Sequence, residues 1–440
     1  MKPTYEELLE IVESQQKRIE QLEKEVEKLR NELHRYHNEN TPSSATPTFE
    51  KSSPNHRHQK PGQKVGHEGT SRPLPDHVDE EKDARLDSCP HCNSRLSFIG
   101  SRKRIIEDIV PAKVKVTEID IGQYWCRHCN TKVEAPVTEA LPNCRLGINT
   151  YLFVMFLRYG TKIPIDKITE LLEVSYGLQI SEGGIINMMH ILAKELGSYY
   201  DELIQELRNS PSINGDETGW RVDGKNAWLW AFIGKGIALY TIEKSRGKKV
   251  VKRMIGKRYK GVLGSDFWSA YNLDGVVQQK CHVHLKRELK ETAEEKDGRS
   301  QFHRFRKKLK RILDDGVRAK EKLVDKNDLQ SQKDHLDSRI EDLCNDKWID
   351  VDCLRIIKRL KGKGKDLFTF LVKDIDPDNN IAERGIRPAV VMRKNSYGNR
   401  SEKGADTTSV LLSVVETCNM RGQNFLDWGS DYFKMTTSNG

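Results

Sequence analysis

The stretch Ser212-Ile213-Asn214-Gly215-Asp216-Glu217-Thr218-Gly219-Trp220 opens the part of the chain whose element order decides the fold. It reads as a short strand running into acids. Two apolar runs follow, Ala227-Trp228-Leu229-Trp230-Ala231-Phe232-Ile233 and Ile237-Ala238-Leu239-Tyr240-Thr241-Ile242, joined by Gly234-Lys235-Gly236. Short β-branched and aromatic runs around a glycine turn predict an antiparallel meander. A basic helix-like segment from Lys248 to Lys257 then precedes Gly261-Val262-Leu263-Gly264-Ser265-Asp266, a further apolar strand that ends in an acid.

Three antiparallel strands, a helix and a further strand is the order of an RNase H-like α/β sheet, and it puts Asp216 and Asp266 on neighbouring strands. Two-metal phosphoryl transfer needs carboxylates that converge on two hard cations about 3.5–4 Å apart. Two strand-end aspartates supply part of such a set, and a third carboxylate is still required. Candidates come from Asp376-Pro377-Asp378-Asn379-Asn380-Ile381-Ala382-Glu383-Arg384-Gly385-Ile386-Arg387-Pro388, where Asp376 or Asp378 caps a helix start and Glu383 lies in its first turns. Glu217, Asp223 and Glu288 are rivals. Glu217 follows Asp216 directly and, on a strand, is expected on the opposite face.

Outward from this region the 440 residues divide into unlike pieces. Residues 1–37 contain Val12, Ile19, Val26 and Leu33 at heptad spacing, with Gln15, Leu22, Leu29 and Tyr36 three positions later. That seam predicts a parallel coiled coil, and with it a homodimer or higher oligomer. Residues 38–78, rich in Ser, Pro and Gly and poor in aliphatics, read as a flexible linker. Residues 79–146 carry Cys89-Pro90-His91-Cys92 and Cys126-Arg127-His128-Cys129, two C-x-x-C pairs. Two such knuckles supply four thiolates to one tetrahedral Zn²⁺, predicting a zinc ribbon with one structural zinc on Cys89, Cys92, Cys126 and Cys129. Val114, Val116, Ile119 and Ile121 predict short strands between the pairs, and Asn93 and Asn130 suit the positive φ of a knuckle turn. The remaining cysteines have no partner at ligand spacing and read as core thiols. Residues 147–208 are helical in pattern, with helix-turn-helix and plain helix packing both open. Residues 209–420 form the catalytic domain, with an α-helical insertion at about 285–373, and 421–440 read as a C-terminal tail.

The formal net charge is +9. Lys244 to Gly261 contains nine Lys or Arg (244, 246, 248, 249, 252, 253, 257, 258, 260) and no acid. Clustered bases of this kind neutralise phosphates, so Lys248, Lys249, Lys252 and Arg253 are expected DNA contacts. No stretch of 18 apolar residues and no signal-peptide pattern is present, which excludes a membrane-spanning helix and gives a cytoplasmic, nucleoid-associated expectation.

Several of these segments together resemble DDE transposases of the insertion sequence 66 family. They are Asp216-Glu217-Thr218, Asp266 with Trp268, Tyr271 and Asn272, Cys281-His282-Val283-His284-Leu285-Lys286-Arg287, the block Asp378 to Pro388 continuing to Arg393-Lys394-Asn395, and Ser409 to Cys418. The resemblance covers nearly the whole chain, because that family also carries an N-terminal helix, a basic linker and a four-cysteine module. It implies Asp216, Asp266 and Glu383 as the metal-binding catalytic triad and two Mg²⁺ as its ions. It further implies cleavage and strand transfer at element ends, and DNA contacts from Arg384, Arg387, Arg393 and Lys394 on the third-acid block. Accessory transposition proteins are a further expected partner. Two other readings stay open on sequence: a zinc-ribbon DNA-binding regulator with a dead nuclease-like domain, and a structure-specific nuclease that performs no strand transfer.

Overall fold

The computed structural model describes residues 15–16, 18–26, 75–107, 113–296, 298, 300–322 and 325–438. The chain divides into two compact units, one of residues 43–112 and one made of 1–42 with 113–440.

In the smaller unit, Ser88 and Arg95 form an antiparallel bridge around the first cysteine pair. The turn is closed by Asn93 N–H to Cys89 O at 2.8 Å and Cys89 N–H to Ser94 O at 2.9 Å. Asn93 takes φ 57°, as its place after the second cysteine predicts.

The larger unit opens with a hairpin, β1 (Gln123–Cys126) and β2 (Thr131–Glu134), which frames the second pair, and Asn130 takes φ 52° in its turn. The strands expected around Val114, Val116, Ile119 and Ile121 do not form: residues 113–122 carry no strand, and all four side chains are exposed. A β-branched alternation makes a strand only where a partner strand and a buried face receive it, and none of the described residues does so there.

Four helices follow, α1 (Ile148–Met155), α2 (Ile165–Tyr176), α3 (Glu182–Glu195) and α4 (Gly197–Arg208). Gly177, at φ 66°, ends α2 in the left-handed conformation, which costs glycine no Cβ clash. Ser181 Oγ caps α3 by accepting from Gly184 N–H. Of the α2–α3 pair, the second helix buries Ile185, Met188, Met189 and Leu192, so core packing accounts for its apolar residues.

Next come β3 (Ser212–Val222), β4 (Lys225–Gly234), β5 (Ile237–Glu243), α5 (Lys248–Ile255), β6 (Val262–Ser265) and β7 (Val277–Lys280), in one sheet of order β5-β4-β3-β6-β7. The β3–β4 turn is Asp223-Gly224, both at positive φ, the two-residue turn whose twist matches a hairpin. β3 pairs antiparallel with β4, and β4 with β5, whereas β3–β6 and β6–β7 are parallel.

A separate helical core of α6 (His282–Glu294), α7 (Gln301–Lys322), α8 (Lys326–Asn345) and α9 (Val351–Lys363) comes between β7 and the third-acid block. It is centred on Phe302, Phe305, Leu313, Leu336, Ile356 and Phe368. The chain then returns through α10 (Asn380–Ser396), α11 (Glu402–Met420) and α12 (Phe425–Ser438).

α11 covers the edge strand β5. Ser409, Ser413 and Thr417, one helical turn apart, accept from the outward amides of Ile242, Tyr240 and Ala238 at 3.1, 2.8 and 3.2 Å. An edge that would otherwise offer free backbone donors is thereby closed. The expected C-terminal tail is corrected to α12, whose Phe425 and Phe433 are buried and whose Trp428 and Tyr432 pack against Tyr199 with tilted rings. The aromatic stripe at 425, 428, 432 and 433 has helical spacing. No helix among the described residues is long and apolar enough to cross a membrane.

Candidate active site

Parallel pairing sets the first two acids in step. Asn214 stands opposite Gly264 in the β3–β6 ladder, so the same register carried two residues further puts Asp216 level with Asp266. Asp266 directly follows β6, whereas the expected strand end at Asp216 is corrected to mid-strand, because β3 continues as a hairpin with β4 through Val222. Gly264 is required there, since a Cβ would lie 2.4 Å from Asn214 Nδ2.

That asparagine belongs to a buried clamp. Asn214 Nδ2 donates to Asn379 Oδ1 at 3.0 Å, and Asn379 Nδ2 donates to Gly215 O at 2.9 Å. Asn379 is the N-cap of α10, and the amide of Glu383 donates to its carbonyl at 3.0 Å. The first turn of α10, with Glu383 in it, is therefore bonded to the backbone immediately before Asp216.

The electrostatics agree with that placement. Burial first, then the charge of Glu217, with those of Asp266 and Glu383 adding, pushes the Asp216 carboxyl up to about 7. The amide of Glu217, donating to Asp216 Oδ1 at 2.9 Å, opposes this. Asp266 Oδ1 accepts from Trp268 N–H at 2.8 Å, and Lys280 Nζ donates to Asp266 O at 3.1 Å and to Ser265 Oγ at 3.0 Å. Burial pulls the Lys280 amine down to about 8. Glu383 Oε1 lies 3.6 Å from His284 Nδ1, and both atoms are buried without a hydrogen-bond partner.

The rival acids are used elsewhere. Glu217 accepts from Tyr271 Oη at 2.5 Å and from Arg246 Nε at 3.0 Å. The Arg246 guanidinium sits between the rings of Trp228 and Trp268, 4.2 and 4.1 Å from their centroids. Trp268 is thus engaged with Arg246, and Tyr271 is core. Asp223 sits in the β3–β4 turn with Lys225, and Glu288 pairs with Arg355 and Arg359. Asp378 Oδ1 accepts from Asn380 N–H at 3.0 Å.

The basic residues divide. Lys249 and Lys252 are exposed on α5, Lys248 lies 3.3 Å from Asp274, and Arg253 pairs with Glu243. Arg384, Arg387 and Lys394 are exposed on α10. Arg393 is half-buried, and its Nη1 donates to Thr218 Oγ1 at 2.9 Å and to Gly219 O, tying α10 to β3.

In the cysteine pairs, hydrogen bonds from Ser94 hold the Cys92 thiol below its ordinary value, and the amide of Cys129 does the same for Cys126. Donors aimed at sulfur stabilise the thiolate that zinc requires. Arg246, Lys280, His284 and the Asn214–Asn379 pair escape a reading of spacing alone. Only an unusually polar text beside the acids signals them.

Residues 145–407 match the family described as "Transposase IS66 family", and residues 87–130 match the "zinc-finger binding domain of transposase IS66". These matches define the class as a transposase with a zinc-finger module. The chain belongs to the IS66 family. Three relatives are uncharacterized proteins of Sinorhizobium fredii. One, y4hP, is 22% identical over 406 residues, covering 82% of this chain and 73% of its own length. Another, y4qI, is 26% identical over 376 residues, covering 75% and 67% respectively. The third, y4jD, is 23% identical over 385 residues, covering 80% and 75%.

Proposed function

We propose that this transposase cuts and joins DNA at the ends of an insertion sequence by a two-metal DDE mechanism, with Asp216, Asp266 and Glu383 as its acids. The observation that carries this reading is the geometry at Asp216: the β3–β6 register levels it with Asp266 and the Asn379 clamp bonds the turn bearing Glu383 to the residue before it, and the charges of Glu217, Asp266 and Glu383 add to burial in raising its carboxyl. A cation relieves that repulsion, and the orphaned Oε1 of Glu383 offers it a further oxygen. The strand order β5-β4-β3-β6-β7, with β3 central, supports an RNase H-like sheet.

When bound, two Mg²⁺ ions activate the attacking oxygen and neutralise charge on the leaving one. The chain's own residues do the rest. Asp216 and Asp266 present their oxygens from neighbouring strands, while the Asn379 clamp bonds the first turn of α10, which carries Glu383, to the residue before Asp216. The Lys280 ammonium steadies the Asp266 backbone. Arg384, Arg387 and Lys394, with Lys248, Lys249, Lys252 and Arg253, bind phosphates and fix the register of the DNA. We assign Arg393 to positioning, on its bonds to β3. Hydrolysis of the phosphodiester at an element end frees a 3′ hydroxyl, which then displaces a target-strand oxygen in line. No covalent protein–DNA intermediate is involved. One Zn²⁺ on Cys89, Cys92, Cys126 and Cys129 completes the zinc-finger module. The N-terminal heptads bring two chains together: Ile19, Leu22 and Val26 are exposed in a helical stretch, and the outer heptads lie outside the described residues.

The test uses a duplex carrying the DNA that flanks the gene. Mg²⁺-dependent nicking that leaves a 3′ hydroxyl, followed by its joining to a target duplex, is expected. Cutting without joining supports a nuclease, and binding without cutting supports a regulator.

A further inference from the structure

Beside the proposed triad lies a second donor set of different chemistry. Cys281 is the N-cap of α6, and its sulfur accepts from the amide of Asn379, the N-cap of α10, at 3.3 Å. Burial holds the Cys281 thiol above its ordinary value, so the sulfur becomes a thiolate only as an ion binds. One ligand atom each from Cys281, His284 and Glu383 lie within 4.8 Å of one another.

The His284–Glu383 contact is what makes this more than a cluster. Their facing atoms are 3.6 Å apart, too long for a hydrogen bond, and both are buried and unpartnered. Two nitrogen or oxygen ligands on one tetrahedral ion stand about 3.3 Å apart, and a sulfur stands about 3.6 Å from either. The gap therefore matches two ligands sharing an ion and does not match a direct bond. A thiolate and an imidazole select a borderline ion such as Zn²⁺ over Mg²⁺, which prefers six oxygens.

We propose that Cys281 Sγ, His284 Nδ1 and Glu383 Oε1 form a three-ligand site for a divalent transition ion, Zn²⁺ above all, whose occupation withdraws Glu383 from Asp216 and Asp266 and arrests the DNA reaction. The arrest rests on Glu383 being the third catalytic acid. The binding does not. Cys281 gives up its thiol proton to solvent as the ion binds, and the fourth position stays open to water.

Co²⁺ is the probe, added to the full-length protein with its zinc-finger module already zinc-loaded. Wild type is expected to take up about one Co²⁺ per chain beyond the zinc, with a near-ultraviolet thiolate-to-cobalt absorption. Cys281→Ser should lose that absorption. His284→Gln, whose parent side chain is 35% exposed, should keep the sulfur and bind at least about 10-fold more weakly, since losing a ligand costs no less than losing a group that supports one, with its unfolding transition unmoved. Absence of the band in wild type, or its persistence in folded Cys281→Ser, overturns the site. Asp216→Asn separates the two readings, because it should end cleavage and keep the cobalt band. Cleavage surviving in Asp216→Asn counts against the triad alone. Zn²⁺ added at a concentration that fills the site should suppress Mg²⁺-dependent cleavage in wild type; unchanged cleavage with the site filled overturns the arrest.

Discussion

Asn379 donates to the carbonyl of Gly215 at 2.9 Å and so bonds the start of α10 to the residue before Asp216. Glu383 is thereby placed by a side-chain amide four positions upstream of it. Asn379→Ala leaves Gly215 O and Asn214 Nδ2 unpaired in a buried site, which costs about 1–3 kcal/mol. A misplacement of about 1 Å costs roughly 100-fold in rate. Loss of cleavage on that scale is expected, with DNA affinity retained. An Asn379→Ala protein that cuts at the wild-type rate removes the clamp from the account.

Glu217 is held by Arg246, and its side chain is only 3% exposed against 33% for the arginine. Arg246→Ala should destabilise by roughly 1–3 kcal/mol, between the small value of an exposed pair and the roughly 3–5 kcal/mol of a broken buried one, because the arginine is partly solvated. Glu217→Gln in the same chain should recover part of that loss. Urea unfolding of the two single variants and the double variant checks this, and strictly additive losses would mean the pair is not coupled.

The helical insertion carries a pH dependence of its own. Burial acts to raise the Glu288 carboxyl, but the hydrogen bonds and charges of Arg359 and Arg355 outweigh it and hold the group below its ordinary 4.5. A depressed folded-state value adds stability that is fully present above the unfolded value and is lost as pH falls through the folded one. Glu288→Gln should therefore lower the thermal midpoint at pH 7, and its difference from wild type should shrink below pH 4.5. A difference that stays constant down to acid pH argues against the ion-pair origin.

Zinc analysis of carefully purified protein should find about one ion per chain, removed by Cys89→Ser or Cys126→Ser alike, since a four-thiolate site fails when either pair is broken. Retention of full zinc in either variant would break the four-cysteine assignment.

Much of the sheet was legible because its strands obey composition rules. β4 and β5 are apolar and β-branched, and Asp216 and Asp266 stand out against them. β7 was not legible: Val277-Gln278-Gln279-Lys280 reads as surface, yet all but the first are buried. Their side-chain nitrogens donate to carbonyls at Leu273, Leu367 and Asp266, partners fixed only by the tertiary fold. Ser409, Ser413 and Thr417 were hidden in the same way, because a hydroxyl on an apolar helix discloses nothing of the strand edge it will close. The residues around Val114 erred in the opposite direction, since a strand pattern without a partner remains coil. Within the site, the register that levels Asp216 with Asp266 follows from the pairing of β3 with the four-residue β6. The contact of His284 with Glu383 depends on two helices separated in sequence by the whole insertion, and no local pattern carries it.

The most direct measurement is cleavage of the flanking-DNA duplex in Mg²⁺ by wild type, Asp216→Asn, Asp266→Asn and Glu383→Gln, with DNA binding followed in parallel. Cleavage should vanish in all three variants while binding survives. Wild-type turnover in any one of them would contradict a triad built on that residue.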